Sequence, residues 1–445
     1  MDTAENMPTA TEPRVVITGM GIVSPLGIGR ERFWESLLEG RSGIGPFYQF
    51  GHEPLPTTVS GEVRDFEARK LISQQIDQKT KRAYLKSLKV MCREIQLGVA
   101  AAHLALDDSK VEMNEVNPDR LGVEFGANLM LTHPEELSRP VSACLDESSK
   151  FDFGRWGEHG LVKMFPLWLL KYLPNMPACH IGITFDARGP NNTITLGEAS
   201  ANLAISEAYR IISRGSADVM IAGATGTRVH PMKSAQTALQ EELSKQDGSH
   251  ASRPFDANRD GMVLGEGAAV FLMETLQHAQ DRNATIYAEV AGAGSSCSAT
   301  PDGKPRITRS LLNAMKQAVA DADYCPDDIG HVNAHGISTR QGDRDEAMAI
   351  HQFFENRKTP VPVTAPKSYF GNLGSGTGAV ELAVSSLELH HETMIPTLNY
   401  ETPDPDCPIH VTSGSPQTLA GPSVMNLNFT RMGQASCLIL KQFQV

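Results

Sequence analysis

"GPNNTITLGEASANLAISEAYRII" (Gly189–Ile212) reads in order as a turn, a short β-rich strand and a helix. "ADVMIAGATG" (Ala217–Gly226) follows at once and has the length and apolar character of a buried strand. A strand, a helix and a strand joined by short connections form the unit of a layered α/β protein. Glu198 stands at the strand-to-helix junction, the place where an enzyme would seat a nucleophile.

The same alternation runs outward in both directions. Upstream, "RVVITGMGIVSPLG" (Arg14–Gly27) reads as a buried strand entering a Gly/Pro turn, and "GRERFWESLLEG" as a helix ending at Gly40. "KSLKVMCREIQLGVAAAHLAL" (Lys86–Leu106) predicts one long helix, and "RLGVEFGAN" another short strand. Downstream, "GAAVFLMETLQHAQ" and "IYAEVAGAGSS" read as strands and "RSLLNAMKQAVADA" as a helix. "IGHVNAHG" is a strand ending in a polar turn, and "SGTGAVELAVSSLELHH" a Gly-rich turn opening a helix. "SVMNLNFT" and "QASCLILKQF" close the chain as a strand pair. The rhythm occurs twice and suggests a duplication, although no residue-level repeat is evident. It divides the chain into a loose tail (1–13), a first half (14–275) and a second half (276–445). An inserted cap or subunit contact at about 133–177, rich in aromatic and charged residues, interrupts the first half.

Composition narrows the function. Forty basic against 52 acidic residues give a net charge of -12, which argues against a general nucleic-acid binder. Seven cysteines lie scattered without CxxC pairing, and buried free thiols in a reducing compartment are expected of them. The apolar run "VKMFPLWLLKYLP" is broken by Pro and Lys and is too short to span a bilayer. A cytoplasmic protein with no membrane partner is expected. The histidines show no metal-ligand spacing, and "LHHE" (Leu389–Glu392) reads as a solvated helix end. "GMVLGEGAAV" lacks the GxGxxG order of a dinucleotide site.

Several stretches are recognisable together: "VVITGMGIVSPLG", "RPFDANRDGMVLGEGAAV" (from Arg253), "VNAHGISTRQGDRDE" (from Val332), "PKSYFGNLGSGTGAVE" (from Pro366) and "IPTLNYETPDPDC" (from Ile395). In this order they resemble the β-ketoacyl-acyl-carrier-protein synthases, the ketosynthases of fatty-acid and polyketide assembly, especially type II. The resemblance implies an α/β fold of the thiolase type, with a duplicated five-layer α-β-α-β-α architecture. It also implies a homodimer or a heterodimer with another ketosynthase, and acyl carrier protein as partner. The phosphopantetheine arm arrives on that carrier, so no cofactor of the chain's own is expected.

In that family a Cys occupies the position of Glu198, where the helix N-terminus favours a thiolate. Two His and a Lys assist, a Glu supports them, and two Thr contact the pantetheine arm. By resemblance His335 falls on the first His, Lys367 on the Lys, Glu346 on the Glu and Thr339 on one Thr. Asn372 replaces the second His and Ile337 the other Thr. The gate "GFGGTN" reads "TRMGQA" and places Arg431, beside Phe429, near the family's Phe.

A carboxylate is a poor acyl-bearing nucleophile, so ordinary Cys-dependent condensation is not expected. An ionised Glu198 about 5 Å from a malonyl carboxylate would repel it by about 3 kcal/mol at an effective dielectric of ~20. Protonation, or pairing with Arg431 or Lys367, would relieve this. A Glu198 with a raised pKa could instead serve as general base while His335 and Asn372 hold an enolate oxygen. Cys179 and Cys297 sit away from the junction and read as buried structural thiols. Two readings stand: a ketosynthase homologue acting on malonyl- or acyl-carrier-protein thioesters with altered chemistry, and a non-catalytic chain-length-factor-like partner of an active ketosynthase.

Overall fold

The computed structural model describes residues 13–49 and 55–444, so the expected tail at 1–13 lies almost wholly outside the described residues. The first half is built on β1 (Val15–Ser24), β2 (Leu121–Gly126), β3 (Asn191–Ile194), β4 (Val219–Thr227) and β5 (Leu264–Thr275). Across the sheet they run β1-β5-β4-β2-β3. The first two pairings are antiparallel and the last two parallel.

The second half repeats this pattern. Its strands are β6 (Ala288–Cys297), β7 (His331–Asn333), β8 (Pro362–Thr364), β9 (Ser423–Phe429) and β10 (Gln434–Lys441), in the order β6-β10-β9-β7-β8. Again two antiparallel pairings precede two parallel ones. The half-sheets join where Val15–Ile17 of β1 pairs with Ala288–Val290 of β6, which makes one 14-stranded sheet.

The helices supply the layers. α1 (Arg93–Ser109) packs outside β1 and β5, and α3 (Ile307–Asp321) packs outside β6 and β10, with α4 (Arg340–Phe353) beside α3. Between the half-sheets lie α2 (Ser200–Ser213) and α5 (Thr377–His391). Every residue of α5 from Thr377 to Leu389 is buried, as a helix covered on all sides requires. This is the duplicated, layered α/β architecture of the thiolase type.

Glycines set the layer spacing in both halves. A methyl group on Gly19 of β1 would stand 2.5 Å from the Ala105 carbonyl oxygen of α1, and one on Gly292 of β6 2.5 Å from that of Ala318 in α3. Gly21 and Gly294, two residues on, abut the Ala101 and Ala314 carbonyls in the same way. The "GxG" in the first strand of each half is a trace of the duplication that survives in the sequence.

Two predicted elements need correction. Lys86–Leu106 is not one helix: a helix over Gln78–Ser87 and a short turn at Leu88–Val90 precede α1, because the chain becomes extended at Met91 and Cys92. "GAAVFLMETLQHAQ" is strand only to Thr275; the Thr275 hydroxyl then caps a short helix over Leu276–Asp281 by accepting from the His278 N–H. The segment at 133–177 consists of a helix over Pro134–Ser142 and several single turns, with Phe153 and Val162 exposed.

Candidate functional site

The site forms where the two central helices begin. Before each one the chain makes a tight turn: Gly197–Ala199 leads into α2 and Gly374–Gly376 into α5, and the two turns touch. Gly197 takes a positive φ of 55°, which favours glycine, and lifts the next residue into the interior. Glu198 is therefore buried at a helix start, where unpaired N–H groups favour its charge.

Its counter-ion is a residue that sequence reasoning missed. Arg228, just beyond β4, donates from Nη2 to Glu198 Oε1. Its Nη1 donates to Glu241 Oε1 at 3.0 Å and Thr237 Oγ1 at 3.2 Å. The partners anticipated for Glu198 lie elsewhere. Lys367 is buried against Glu381, and Arg431 donates at 2.9 Å to Gln240. Burial by itself would raise the Glu198 pKa, but the Arg228 guanidinium outweighs it and holds the carboxyl below its ordinary range. Of the two states that the sequence leaves open for Glu198, the pairing with Arg228 favours the ionised one.

Asn372 closes the other side. Its Oδ1 accepts from the Gly374 N–H (2.9 Å) and the Thr377 hydroxyl (3.1 Å), which turns the amide Nδ2 towards Glu198 Oε1 at 3.3 Å.

His335 follows β7 and is fully buried. Glu346 of α4 fixes its backbone by accepting from the His335 and Gly336 N–H groups at 2.7 and 2.8 Å. Burial pushes the Glu346 carboxyl up to about 8. The Lys367 ammonium lies 2.9 Å from His335 Nδ1, and the Asn428 amide lies 3.2 Å from it. Both groups are donors, so Nδ1 accepts and Nε2 carries the proton. Burial, with Lys367 and Arg228 nearby, holds the imidazole pKa well below its ordinary value, and the ring is neutral. Among the described residues Nε2 itself has no hydrogen-bond partner. Glu381 of α5 anchors the assembly by pairing with Lys367 at 2.5 Å and accepting from Asn428 at 2.7 Å. Phe429 packs on the imidazole, with ring centroids 4.5 Å apart.

Two cavities open above this cluster. One of about 370 Å³ is lined by Glu198, Arg228, Lys233, Gly374 and Arg431 among others. The second, of about 440 Å³, is lined by Ile337, Thr339, Phe429 and Arg431. Glu198 borders both. Thr339 caps α4, its hydroxyl accepting from the Gly342 N–H at 3.2 Å. His335, Asn372 and Lys367 lie behind the lining, so Lys367 supports the site without facing it.

Among the described residues no cluster of His, Cys, Asp or Glu is placed to hold a metal ion, and no helix is long and apolar enough to cross a membrane. Cys179 is half-buried, whereas Cys297 and Cys325 are exposed, which corrects the expectation of buried thiols there. Cys297 is the last residue of β6, where the burial pattern of the strand alternates.

A duplicated thiolase-type sheet, with its site at the paired starts of two buried helices, defines the ketosynthase class of proteins. Residues 12–279 match the family model "Beta-ketoacyl synthase, N-terminal domain", and residues 287–401 match the corresponding C-terminal domain. The chain belongs to this family. It is 31% identical to 3-oxoacyl-[acyl-carrier-protein] synthase 2 of Synechocystis sp. over 98% of this chain and 100% of that one. With the enzyme of the same name from Coxiella burnetii it shares 33% identity over 96% and 98% of the two chains. The solved ishigamide ketosynthase/chain length factor is 26% identical, with a TM-score of 0.84, over 97% of this chain and 100% of that one.

Arg228 carried little signal in the sequence because a single Arg after a strand is commonplace. Glu381 was more legible: a carboxylate inside the apolar run "GAVELAVSSL" needs a buried cationic partner.

Proposed function

We propose that this chain receives a malonyl or acyl thioester on the pantetheine arm of an acyl carrier protein and polarises its carbonyl without forming an acyl-enzyme. One observation carries the reading. His335 is locked as a neutral Nε2–H donor, and that donor is buried with no partner among the described residues. Leaving a buried donor unmade costs about 1–3 kcal/mol, a cost that a ligand oxygen would remove.

Decarboxylation of a malonyl thioester is the reaction this arrangement suits. The bond between Cα and the carboxylate carbon breaks, carbon dioxide leaves, and the electron pair passes into an enolate. His335 Nε2–H and the Asn372 amide, just behind the cavity lining, hold its oxygen once the arriving arm displaces the side chains in front of them. Water then supplies the proton to Cα, giving an acetyl thioester. The repulsion expected from Glu198 is offset because Arg228 neutralises it. Proton abstraction by Glu198 fits poorly, since a carboxylate held ionised beside Arg228 is too weak a base. Thr339 and Ile337 line the cavity suited to the arm. The carrier brings its own pantetheine, no further cofactor is invoked, and a cytoplasmic setting suits such a substrate.

A second reading, a chain-length-factor-like partner of a Cys-containing ketosynthase, draws on the Glu198–Arg228 pair. That pair fills the helix start where an acyl-cysteine would stand. A homodimer or a heterodimer would use the exposed edge strand β3.

Mass spectrometry of carrier protein after incubation with the purified chain tests the proposal. Acetyl-carrier protein formed from malonyl-carrier protein, and lost in His335→Ala, is the expected result. Unchanged thioesters, with product appearing only after a Cys-containing ketosynthase is added, would favour the second reading.

A further inference from the structure

The first cavity carries three cationic side chains on its lining: Arg228, Lys233 and Arg431. Two of them are spoken for. Arg228 holds Glu198 and Glu241, and Lys233 pairs with Glu94 at 2.6 Å. Among the described residues Arg431 makes no ion pair; its Nη2 donates only to the neutral side chain of Gln240. It also borders the second cavity, so it stands where the two meet.

Its backbone is fixed. Arg431 sits at the tip of the β9–β10 hairpin, where the Thr430 N–H donates to the Gln434 carbonyl at 2.8 Å and the Gly433 N–H to the Thr430 carbonyl at 3.0 Å. Thr430 in turn lies against Gly197, with its methyl 3.3 Å from where a Cβ on that glycine would be. The gate motif of the resemblance, "GFGGTN", has three glycines, whereas "TRMGQA" has Gly433 alone. The turn from Thr430 to Gln434 presents the Arg431 guanidinium to the cavity.

We propose that Arg431 determines specificity by binding the free carboxylate of a malonyl-type thioester, so that the site favours carboxylate-bearing over plain acyl chains. This rests on the thioester-binding reading above and names its substrate class. Guanidinium is suited to the task because its planar donors match a carboxylate in a bidentate manner. Arg431 is solvent-exposed, so the gain is modest, about two- to fivefold in affinity.

The test compares affinities for carrier protein loaded, through a stable amide link, with malonyl or acetyl. The arm's phosphate is common to both loads, so the malonyl-to-acetyl ratio isolates the carboxylate. Wild type should prefer malonyl about two- to fivefold, Arg431→Gln should bring the ratio to near one, and Arg431→Lys should fall between. A ratio near one in wild type, or a preference that survives in Arg431→Gln, overturns the assignment while carrier binding stands. Wild type binding neither load would sink the thioester-binding reading, and the selectivity with it.

Discussion

Replacing Glu198 by glutamine removes the stronger of two carboxylates from a half-buried Arg228 and leaves Glu241. The expected cost is on the order of 1–3 kcal/mol in urea unfolding, less than for a buried cation stripped of every partner. The pH dependence has a definite sign. Glu198 has a lowered folded pKa, so its stabilisation is complete above the ordinary value of 4.5 and is lost as pH falls through the folded value. The gap between wild type and Glu198→Gln should therefore narrow below about pH 4.5. Glu198→Cys would place a thiol at a helix N-terminus beside Arg228, and its alkylation midpoint should lie below the ~8.5 of a free cysteine. A midpoint at or above that value would show that the junction no longer stabilises an anion. At this scale the sequence was most informative. Glu198, His335, Asn372 and Lys367 were singled out through their motifs, and the structure brings Asn372 to Glu198 and Lys367 to His335. Arg228 was not, because its meaning lies in reaching a residue 30 positions away.

At the scale of elements, close packing of strand on helix decides what can change. A methyl on Gly21 or Gly294 would meet a helix carbonyl that cannot move without shifting α1 or α3. Gly21→Ala and Gly294→Ala should each destabilise by about 1–3 kcal/mol, read as a lower urea midpoint. β2 contains a different tension. Glu124 is fully buried, and among the described residues neither carboxylate oxygen has a partner. Burial, reinforced by Glu207, pushes its pKa up to about 8. A raised folded pKa means that stability is intact below the ordinary 4.5 and is lost as pH rises through about 8. Glu124→Met, similar in volume and without the polar group, should stabilise by about 1–3 kcal/mol. Its advantage in thermal melts should grow between pH 5 and pH 8; an advantage independent of pH would contradict the assignment. Element types were mostly readable from periodicity. Boundaries failed where a cap or a backbone kink intervened, as at Thr275 and Met91, since neither changes the hydrophobic pattern.

For the whole molecule, α5 belongs to the second half in sequence yet packs on β4 and β5 of the first as well as on β9. The halves share one interior. A fragment ending near residue 280 should therefore expose the apolar faces of β4 and β5 and remain aggregated or molten, by circular dichroism and dye binding, until the complementary fragment is added. Independent cooperative folding of either fragment would show that the shared layer matters less than its burial implies. The sequence by itself determined the kind of molecule this is. Alternating strands and helices and ordered motifs depend on local period and residue type, and these are written along the chain. Tertiary structure alone decided the charge state of Glu198 and the tautomer of His335. Each is set by which groups meet in a buried, weakly screened space, and no local pattern encodes those meetings.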